Sequence, residues 1–312
     1  MTGADPLEAW AWRALYGTRH PLPARASALL MARLGESAAH RLLADKLATA
    51  AVLGPVGIPF PALRGLCRKG EVLRPLAEID EGGDLFVKPR HGRGGGGTFS
   101  LTRTGGTWQM NGRSVTASAL LDRLSRAAEQ DDLLVQERLV AAPDLADLVV
   151  HGRPPVLRVV TARYPGAAPF LHSALLSMGV PSSHPAHFLR GAVYAAVDPA
   201  TGQLADGLSL GEPGERMTTL PWNGAPLTGR PLVALDGAVS IALRAMAALP
   251  PLPVVHWDFI PAVSGPVLLE GNTSGNWILA CLPGLFGLEA CPLTPMLASW
   301  RAAPPTGHPR SA

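Results

Sequence analysis

The chain has 312 residues, of which 47% are hydrophobic and 16% are charged, and its formal net charge is +3. This length and composition can bury a full core in one large or two modest domains, which excludes an intrinsically disordered protein. The basic residues are scattered rather than gathered on one face, and Pro, Gly or charge interrupts every apolar stretch well before the roughly 18 residues of a membrane helix. We therefore expect a globular protein with no nucleic-acid partner and no membrane span.

The N-terminus and the cysteines predict a cytoplasmic protein. Residues 1–17 lack the basic start and the apolar core of a secretory signal peptide. The three cysteines, Cys67, Cys281 and Cys291, form no CxxC pair and cannot all be bridged to one another. Buried, reduced thiols are therefore expected.

The spacing of apolar residues predicts the elements in chain order. Residues 7–50 are rich in Ala, Leu and Arg and are expected to form two or three helices, the last of which begins at Asp45 and ends near Gly54. The elements expected after them are a turn at 57–61 into a short strand, a strand–glycine loop–strand unit at 84–103, a hairpin at 107–114, a serine-capped helix at 118–129, strands at 133–139, 156–164, 171–178 and 192–197, a helix at 232–248, and strands at 254–260 and 266–272. This order predicts an α+β (mixed α/β) fold.

One lysine precedes four consecutive glycines in residues 84–98. The chain has only three lysines among its many arginines, so Lys88 at the mouth of a glycine loop stands out. An ammonium group suits phosphate, and glycines let backbone N–H groups approach phosphate oxygens closely. A flexible linker is the alternative, but the run lies between two strand-like segments and beside Arg90, His91 and Arg93, which could bind phosphate or be solvated. The lysine comes before the glycines, unlike in a Walker A loop or a protein kinase.

A second polar set lies near the end of the predicted sheet. Asp258 lies in one strand-like run, and Glu270 and Asn272 are two residues apart in the next, so their side chains point to the same face. Two carboxylates and an amide oxygen suit Mg²⁺. Glu270 follows four apolar residues and needs a cation, either a metal or Arg158 across the sheet. The alternative is that both carboxylates are ordinary strand-end groups paired with arginines.

Six segments in this order resemble the ATP-grasp superfamily, in particular its sugar-transfer-associated (hexapeptide-transferase-like) members, over roughly residues 45–276. The segments are DKLATAAVLGPVGIPFP at 45–61, FVKPRHGRGGGG at 86–97, LVQERL at 134–139, VLRVVTAR at 156–163, FLRGAVYAAVDPATGQL at 188–204, and HWDF with GPVLLEGN at 256–272. The chain departs from the family pattern at Val156, where the family usually has Thr, at Leu189 or His187, which replaces an Asn, and at Ala192, which replaces a Gly. The departures after Val156 lie where a substrate would enter.

The resemblance implies an ATP-grasp fold in which two α+β subdomains grip ATP. The subdomains it implies are a lid subdomain with the glycine loop at 45–139 and a C-terminal subdomain with the Mg²⁺ site at 140–301. Composition adds a helical segment at 1–44 and a disordered tail at 302–312. A homodimer is a further expectation.

The resemblance also implies roles for individual residues. Lys46 and Lys88 would contact ATP phosphates, and Arg158 and Lys88 would act on the transferred phosphate. The residues that would cover the triphosphate are Arg93, Gly94, Gly95, Gly96 and Gly97. Those that would surround adenine are Gln136, Glu137, Arg138 and Leu139. Asp144 would bind the ribose hydroxyls, or it would cap a helix instead. Asp258, Glu270 and Asn272 would hold one or two Mg²⁺, and the substrate residues would be His184, His187, Arg190, His256 and Asn276. His184 and His187 give only a weak indication of a zinc site, because the sequence shows no third ligand near them.

The activity implied is ATP-dependent ligation of a small-molecule or peptide carboxylate to an amine, through an acyl phosphate, in a cell-surface glycan or natural-product pathway. Two alternatives stay open. One is a phosphotransferase that uses the same nucleotide site without an amine step. The other is a non-catalytic nucleotide-binding assembly protein.

Overall fold

The computed structural model describes residues 31–69, 83–92, 96–181, 192–209, 216–273 and 293–302. Its helices are α1 (Ser37–Ala44), α2 (Lys46–Leu53), α3 (Ala117–Ala128), α4 (Leu235–Ala248) and α5 (Leu293–Ala302). Its strands are β1 (Leu63–Cys67), β2 (Leu85–Pro89), β3 (Phe99–Thr104), β4 (Thr107–Met110), β5 (Arg113–Val115), β6 (Leu133–Glu137), β7 (Val156–Ala162), β8 (Phe170–Gly179), β9 (Ala192–Val197), β10 (Leu204–Ser209), β11 (Arg216–Met217), β12 (Val254–Ala262) and β13 (Gly265–Asn272). The predicted α+β class is confirmed.

A small sheet is built from β1 to β6 in the order β1-β6-β2-β3-β4-β5, and all its strand pairs are antiparallel. Helix α3 packs Leu120 and Leu124 against Val87 and Val135 on one face of this sheet. The serine cap predicted for α3 was wrong, because the Thr116 side chain accepts from the Ala119 N–H at 3.2 Å. The helix therefore begins one residue earlier than predicted.

The opposite face of the small sheet carries Lys88. Cross-strand pairing sets Phe86 opposite Gln136 and Lys88 opposite Leu134. Because strand side chains alternate between faces, these four lie on the face away from α3. This face is turned toward the large sheet, since the Lys88 ammonium reaches the backbone of β13.

The large sheet is built from β7 to β13 in the order β11-β10-β9-β8-β7-β12-β13, again all antiparallel. Helices α1 and α4 pack on one face over a core that includes Trp257 and Phe259. The indole N–H of Trp257 donates to Thr161 Oγ1 at 2.8 Å, which satisfies its only polar group inside that core. The opposite face carries buried polar residues, Arg158 and Asp258 among them, together with a smaller apolar cluster around Ile260.

Four elements differ from the sequence prediction. Helix α4 begins at Leu235 rather than at 232, because Leu232 still belongs to the preceding turn and the helix has no side-chain cap. Strands β10 and β11 were not predicted, since LADGLS contains no β-branched residue and its burial comes from pairing with β9. Helix α5 was also missed.

No helix within the described ranges has the length and apolar character needed to cross a membrane.

Candidate functional site

Strands β7, β12 and β13 place the predicted site residues side by side. Asp258 lies directly opposite Glu270 on one side and directly opposite Arg158 on the other. His256 lies opposite Asn272 in the same hairpin. Directly opposed residues share a face, so all five side chains lie on the face of the large sheet away from α4. The predicted hairpin geometry is confirmed.

Arg158 and Asp258 form a buried bidentate ion pair. The guanidinium Nε and Nη2 donate to the two Asp258 carboxylate oxygens at 2.7 and 2.8 Å, and both residues are only 7% exposed. Burial raises the pKa of the Asp258 carboxyl, and the Arg158 charge opposes that rise. The sequence offered Arg158 as a partner for Glu270, and the structure corrects this: it is the partner of Asp258.

Glycine 271 separates Glu270 from Asn272 for a steric reason. A Cβ atom at Gly271 would lie 2.6 Å from the Trp257 ring and 3.0 Å from the Leu43 side chain. The residue between the two polar side chains thus faces a filled core. This contact holds the end of β13 close to α1 while Glu270 and Asn272 point to the opposite side.

Lys46 is the first residue of α2 and reaches Glu270. The Asp45 side chain caps this helix by accepting from the Leu47 and Ala48 N–H groups at 3.0 and 3.1 Å. From there the Lys46 ammonium lies 3.3 Å from Glu270 Oε2 and also donates to the Gly92 carbonyl. Lys46 therefore links the Glu270 carboxylate to Gly92, which precedes the four consecutive glycines.

Lys88 arrives at the same place from the small sheet. It is 6% exposed, and its ammonium donates to the Leu269 carbonyl at 3.2 Å. Burial lowers the pKa of Lys88 to about 8, Glu270 opposes this shift and Lys46 adds to it. An anion in the cleft would favour the charged ammonium, which is what a phosphate-binding lysine requires.

Arg90 binds carboxylates of the protein itself, whereas the sequence predicted a contact with phosphate or solvent. Its guanidinium donates to both Asp45 oxygens, at 2.8 and 2.6 Å, and to Asp132 Oδ2 at 3.0 Å. The hydrogen bond with Arg90 lowers the pKa of Asp45 to about 2. His91 likewise contacts Asp131 at 2.8 Å. Arg90 thus ties the start of α2 to the small sheet just before the glycine loop.

Only part of the predicted phosphate loop can be placed. Gly97 has φ of 74°, and a Cβ there would lie 3.1 Å from Pro89, so the loop folds back on its own stem at this position. Gly96 precedes it in a turn. Arg93, Gly94 and Gly95 lie outside the described residues.

The predicted adenine segment divides between two faces. Gln136 lies on the Lys88 face and donates to the Pro61 carbonyl at 3.4 Å. Glu137 lies on the other face, where its carboxylate accepts from the Ala62 N–H at 2.9 Å. Leu139 packs with Val156 and Leu269 beside Ile260, Ala262 and Val267. An apolar surface therefore lies next to Lys88 at this end of the cleft.

Arg138 and Asp144 serve structural contacts around that segment. The Arg138 guanidinium donates to Asp84 Oδ2 at 2.9 Å and to the Gly152 carbonyl at 2.5 Å. It thereby joins the start of β2 to the turn before β7. Asp144 is exposed in a 3-10 turn, Pro143–Leu148, where its carbonyl accepts from Arg230 at 2.5 Å.

His256 lies inside the site face, and three polar residues that the sequence did not single out lie with it. Burial lowers the pKa of His256 well below its usual value, and the charges of Arg158 and His172 add to this. Ser173 and Tyr194 are also buried on strands β8 and β9. Strand alternation from Arg158 could have found Ser173 and Tyr194. Because β8 is bulged at His172, alternation alone does not place that residue.

The remaining predicted substrate residues, His184, His187, Arg190 and Asn276, lie outside the described residues. Within the described ranges, no three His, Cys, Asp or Glu side chains form a group that could hold a metal. The predicted set is two carboxylates and one amide, which fits Mg²⁺ because this ion is commonly held by one or two carboxylates together with substrate phosphates. The pairing of Asp258 with Glu270 across the hairpin places these oxygens on one side of the cleft.

Comparison with known proteins gives one family and several solved structures. The family described as sugar-transfer-associated ATP-grasp matches residues 25–289. Biotin carboxylase from Campylobacter jejuni is 13% identical with a TM-score of 0.53, over 88% of this chain and 49% of that one. D-alanine–D-alanine ligase from Bacillus anthracis is 15% identical with a TM-score of 0.49, over 86% and 69%. N5-carboxyaminoimidazole synthase from Aspergillus clavatus is 14% identical with a TM-score of 0.47, over 89% and 60%. No curated protein sequence matches the chain.

Proposed function

Because the chain belongs to the sugar-transfer-associated ATP-grasp family, we propose that it is an ATP-dependent carboxylate–amine ligase that works through an acyl phosphate. The family match confirms the predicted family and the predicted fold. One observation carries the proposal: Lys46, Lys88, Glu270 and the Arg158–Asp258 pair converge on one cleft from both sheets and from α2. Its substrates are a small-molecule or peptide carboxylate and an amine, in a cytoplasmic step of cell-surface glycan or natural-product synthesis.

The cationic side of the cleft supports nucleotide binding. Lys46 comes from α2 and Lys88 from the small sheet, and each contacts a backbone carbonyl. Two ammonium groups from different elements can bind a polyphosphate together, and the glycine loop that begins after Gly92 can cover it. Lid closure would keep water away from a reactive acyl phosphate.

The apolar end of the cleft supports adenine binding. Leu139, Val156 and Leu269 are partly buried against Ile260, Ala262 and Val267, and the Leu269 carbonyl accepts from Lys88. A base lying on these side chains would put its triphosphate toward the two lysines. Gln136, on the same face as Lys88, is the polar group placed to shape this pocket.

The carboxylate side of the cleft supports a metal site at Asp258, Glu270 and Asn272. Mg²⁺ held there would neutralise phosphate charge during transfer. The protein's own part is positioning, since the hairpin register sets Asp258 against Glu270 and Arg158 holds Asp258 in a fixed orientation. Arg158 also adds positive charge next to the place where the phosphoryl group would move.

The proposed reaction has two balanced steps. An oxygen of the substrate carboxylate attacks the γ-phosphorus, the bond to the β-phosphate oxygen breaks, and ADP leaves with that electron pair. The neutral amine then attacks the acyl carbon, the carbon–oxygen bond to phosphate breaks, and the amine loses its proton. The products are an amide, ADP and phosphate.

The proposal is tested by ADP and phosphate release with amino acids, peptides and other acids and amines. Lys88→Ala and Glu270→Ala are expected to abolish ATP consumption, whereas Lys69→Ala, which removes an exposed lysine at the end of β1, should keep it. Wild-type turnover in either site variant would contradict the assignment. Hydroxylamine separates the enzyme classes, because a ligase yields a hydroxamate from its acyl phosphate and a kinase that acts on a hydroxyl yields none. Absence of ADP release with every acid would favour the non-catalytic alternative.

A further inference from the structure

The carboxylates of the proposed metal site are already held by other groups of the protein. Both oxygens of Asp258 are bound by Arg158, at 2.7 and 2.8 Å. Glu270 Oε1 accepts from the Asn272 amide at 3.1 Å, and Glu270 Oε2 lies 3.3 Å from the Lys46 ammonium. A cation that binds Glu270 must therefore compete with a positive charge that is in direct contact with it.

Of these contacts, the one from Lys46 is the easiest to exchange. Arg158 is buried and holds Asp258 through two parallel hydrogen bonds, which fixes that pair. Lys46 has a side chain that is also only 9% exposed, but it places a single ammonium on a flexible four-carbon stem, and Glu270 keeps 22% of its side chain exposed. The other partner of Lys46 is the Gly92 carbonyl, at the entrance of the glycine loop. The ammonium thus lies between the metal side and the phosphate side of the cleft.

We propose that Lys46 is an electrostatic switch that couples metal binding to nucleotide binding. Before nucleotide binds, Lys46 neutralises Glu270, and the positive charge of the Lys46 ammonium repels a divalent cation from the Glu270 carboxylate. When a nucleotide phosphate binds Lys46, the ammonium turns to the phosphate and Glu270 is released to the metal. This inference rests on the proposed function, because it assumes that Lys46 contacts nucleotide phosphate.

The consequence is reciprocal, because coupling between two ligands acts equally in both directions. Removing the Lys46 charge should strengthen metal binding in the absence of nucleotide. Removing the Glu270 charge should strengthen nucleotide binding in the absence of metal. If the only role of Lys46 were to hold phosphate, neither gain would depend on the presence of the other residue, and the double variants test that dependence.

The metal arm of the test uses Mn²⁺ and the full chain without nucleotide, with free Mn²⁺ followed by its electron paramagnetic resonance spectrum. Wild type should bind Mn²⁺ weakly, and Lys46→Met should bind it about tenfold more tightly. Lys69→Met removes the same charge at an exposed position and should match wild type. Lys46→Met in a Glu270→Gln background should give no gain, because the carboxylate that Lys46 masks is then absent.

The nucleotide arm uses ATP with EDTA, measured by isothermal titration calorimetry. Glu270→Gln should bind metal-free ATP about fivefold more tightly than wild type, and this gain should vanish in a Lys46→Met background. Glu129→Gln, at an exposed position at the end of α3, is the matched control for the lost negative charge. The double variant separates release of Lys46 from a general reduction of repulsion between protein and phosphate.

The outcomes separate this inference from the proposed function. If Lys88→Met loses ATP binding but neither arm shows its gain, the switch is refuted and the nucleotide site stands. If wild type and Lys88→Met bind ATP alike, the proposed nucleotide site itself fails. A gain that persists in the double variants also overturns the switch, because it does not pass through the Lys46–Glu270 contact. If circular dichroism shows that Lys46→Met does not fold, the nucleotide arm alone tests the switch. Glu270→Gln must then bind metal-free ATP more tightly than both wild type and Glu129→Gln.

Discussion

Replacing Lys88 with methionine should stabilise the fold while it removes nucleotide binding. Lys88 is 6% exposed, and burial lowers its pKa from 10.5 to about 8. A drop of that size corresponds to about 3 kcal/mol at about 1.4 kcal/mol per pKa unit. Methionine has a similar length and no charge, but it leaves the Leu269 carbonyl without its donor, which costs about 1 kcal/mol. The expected net gain at pH 7 is therefore about 2 kcal/mol.

The pH dependence of this gain has a definite sign. Below pH 8 Lys88 is protonated in both the folded and the unfolded chain, so the full cost of burying the charge is present. Between pH 8 and 10.5 the folded chain releases the proton while the unfolded chain keeps it, so wild-type stability rises relative to the variant. Above pH 10.5 the cost is gone. The advantage of Lys88→Met should thus shrink as the pH rises through this window.

Equilibrium unfolding in urea at pH 7 and at about pH 10, without nucleotide, measures both quantities. The difference in unfolding free energy between variant and wild type cancels the titration of all other groups. Lys69→Met is the control, because an exposed lysine should show no such difference at either pH. A Lys88→Met protein less stable than wild type at pH 7, or an advantage that does not change with pH, would show that Lys88 is not a costly buried charge.

Two further predictions concern residues that hold the site together. Gly271→Ala should lower the free energy of unfolding by about 1–3 kcal/mol, because its methyl group would enter a filled core, whereas Gly54→Ala, with no atom within 4 Å of the added Cβ, should be nearly neutral. Thermal unfolding followed by circular dichroism checks both. Arg90→Lys should raise the Kd for ATP about tenfold with little change in melting temperature, because one ammonium cannot reproduce the forked hydrogen bonds to Asp45 and Asp132. Calorimetric titration checks this, and unchanged affinity would mean that Arg90 does not position the loop.

The site residues that the sequence predicted are the ones controlled by short-range rules. The apolar run after Asp45 predicted a helix that begins there, and the helix begins one residue later, at Lys46, with Asp45 as its cap. Two polar residues two apart in a strand must share a face, and Glu270 and Asn272 do. Each inference needed only neighbouring residues.

The partners of those residues could not be predicted in the same way. Lys46 and Glu270 are far apart in the chain, and their contact depends on how α2 lies against β13. Arg90 looked like a phosphate ligand because it stands beside glycines, yet two carboxylates from different elements take its guanidinium. Which cation pairs with which carboxylate is decided by tertiary packing, and no local pattern encodes that choice.

The distribution of charge in the cleft explains why so many of these groups are paired. Three cations, Lys46, Lys88 and Arg158, meet two carboxylates, Asp258 and Glu270. The two carboxylates each take one cation in direct contact, so the remaining positive charge falls on Lys88, whose ammonium donates to the Leu269 carbonyl and contacts no carboxylate among the described residues. Lys88 is also the lysine whose pKa is lowered by burial, so an incoming polyphosphate would offset the free-energy cost of burying its charge. The cleft is therefore poised for an anion, with the excess positive charge where the proposed nucleotide would lie.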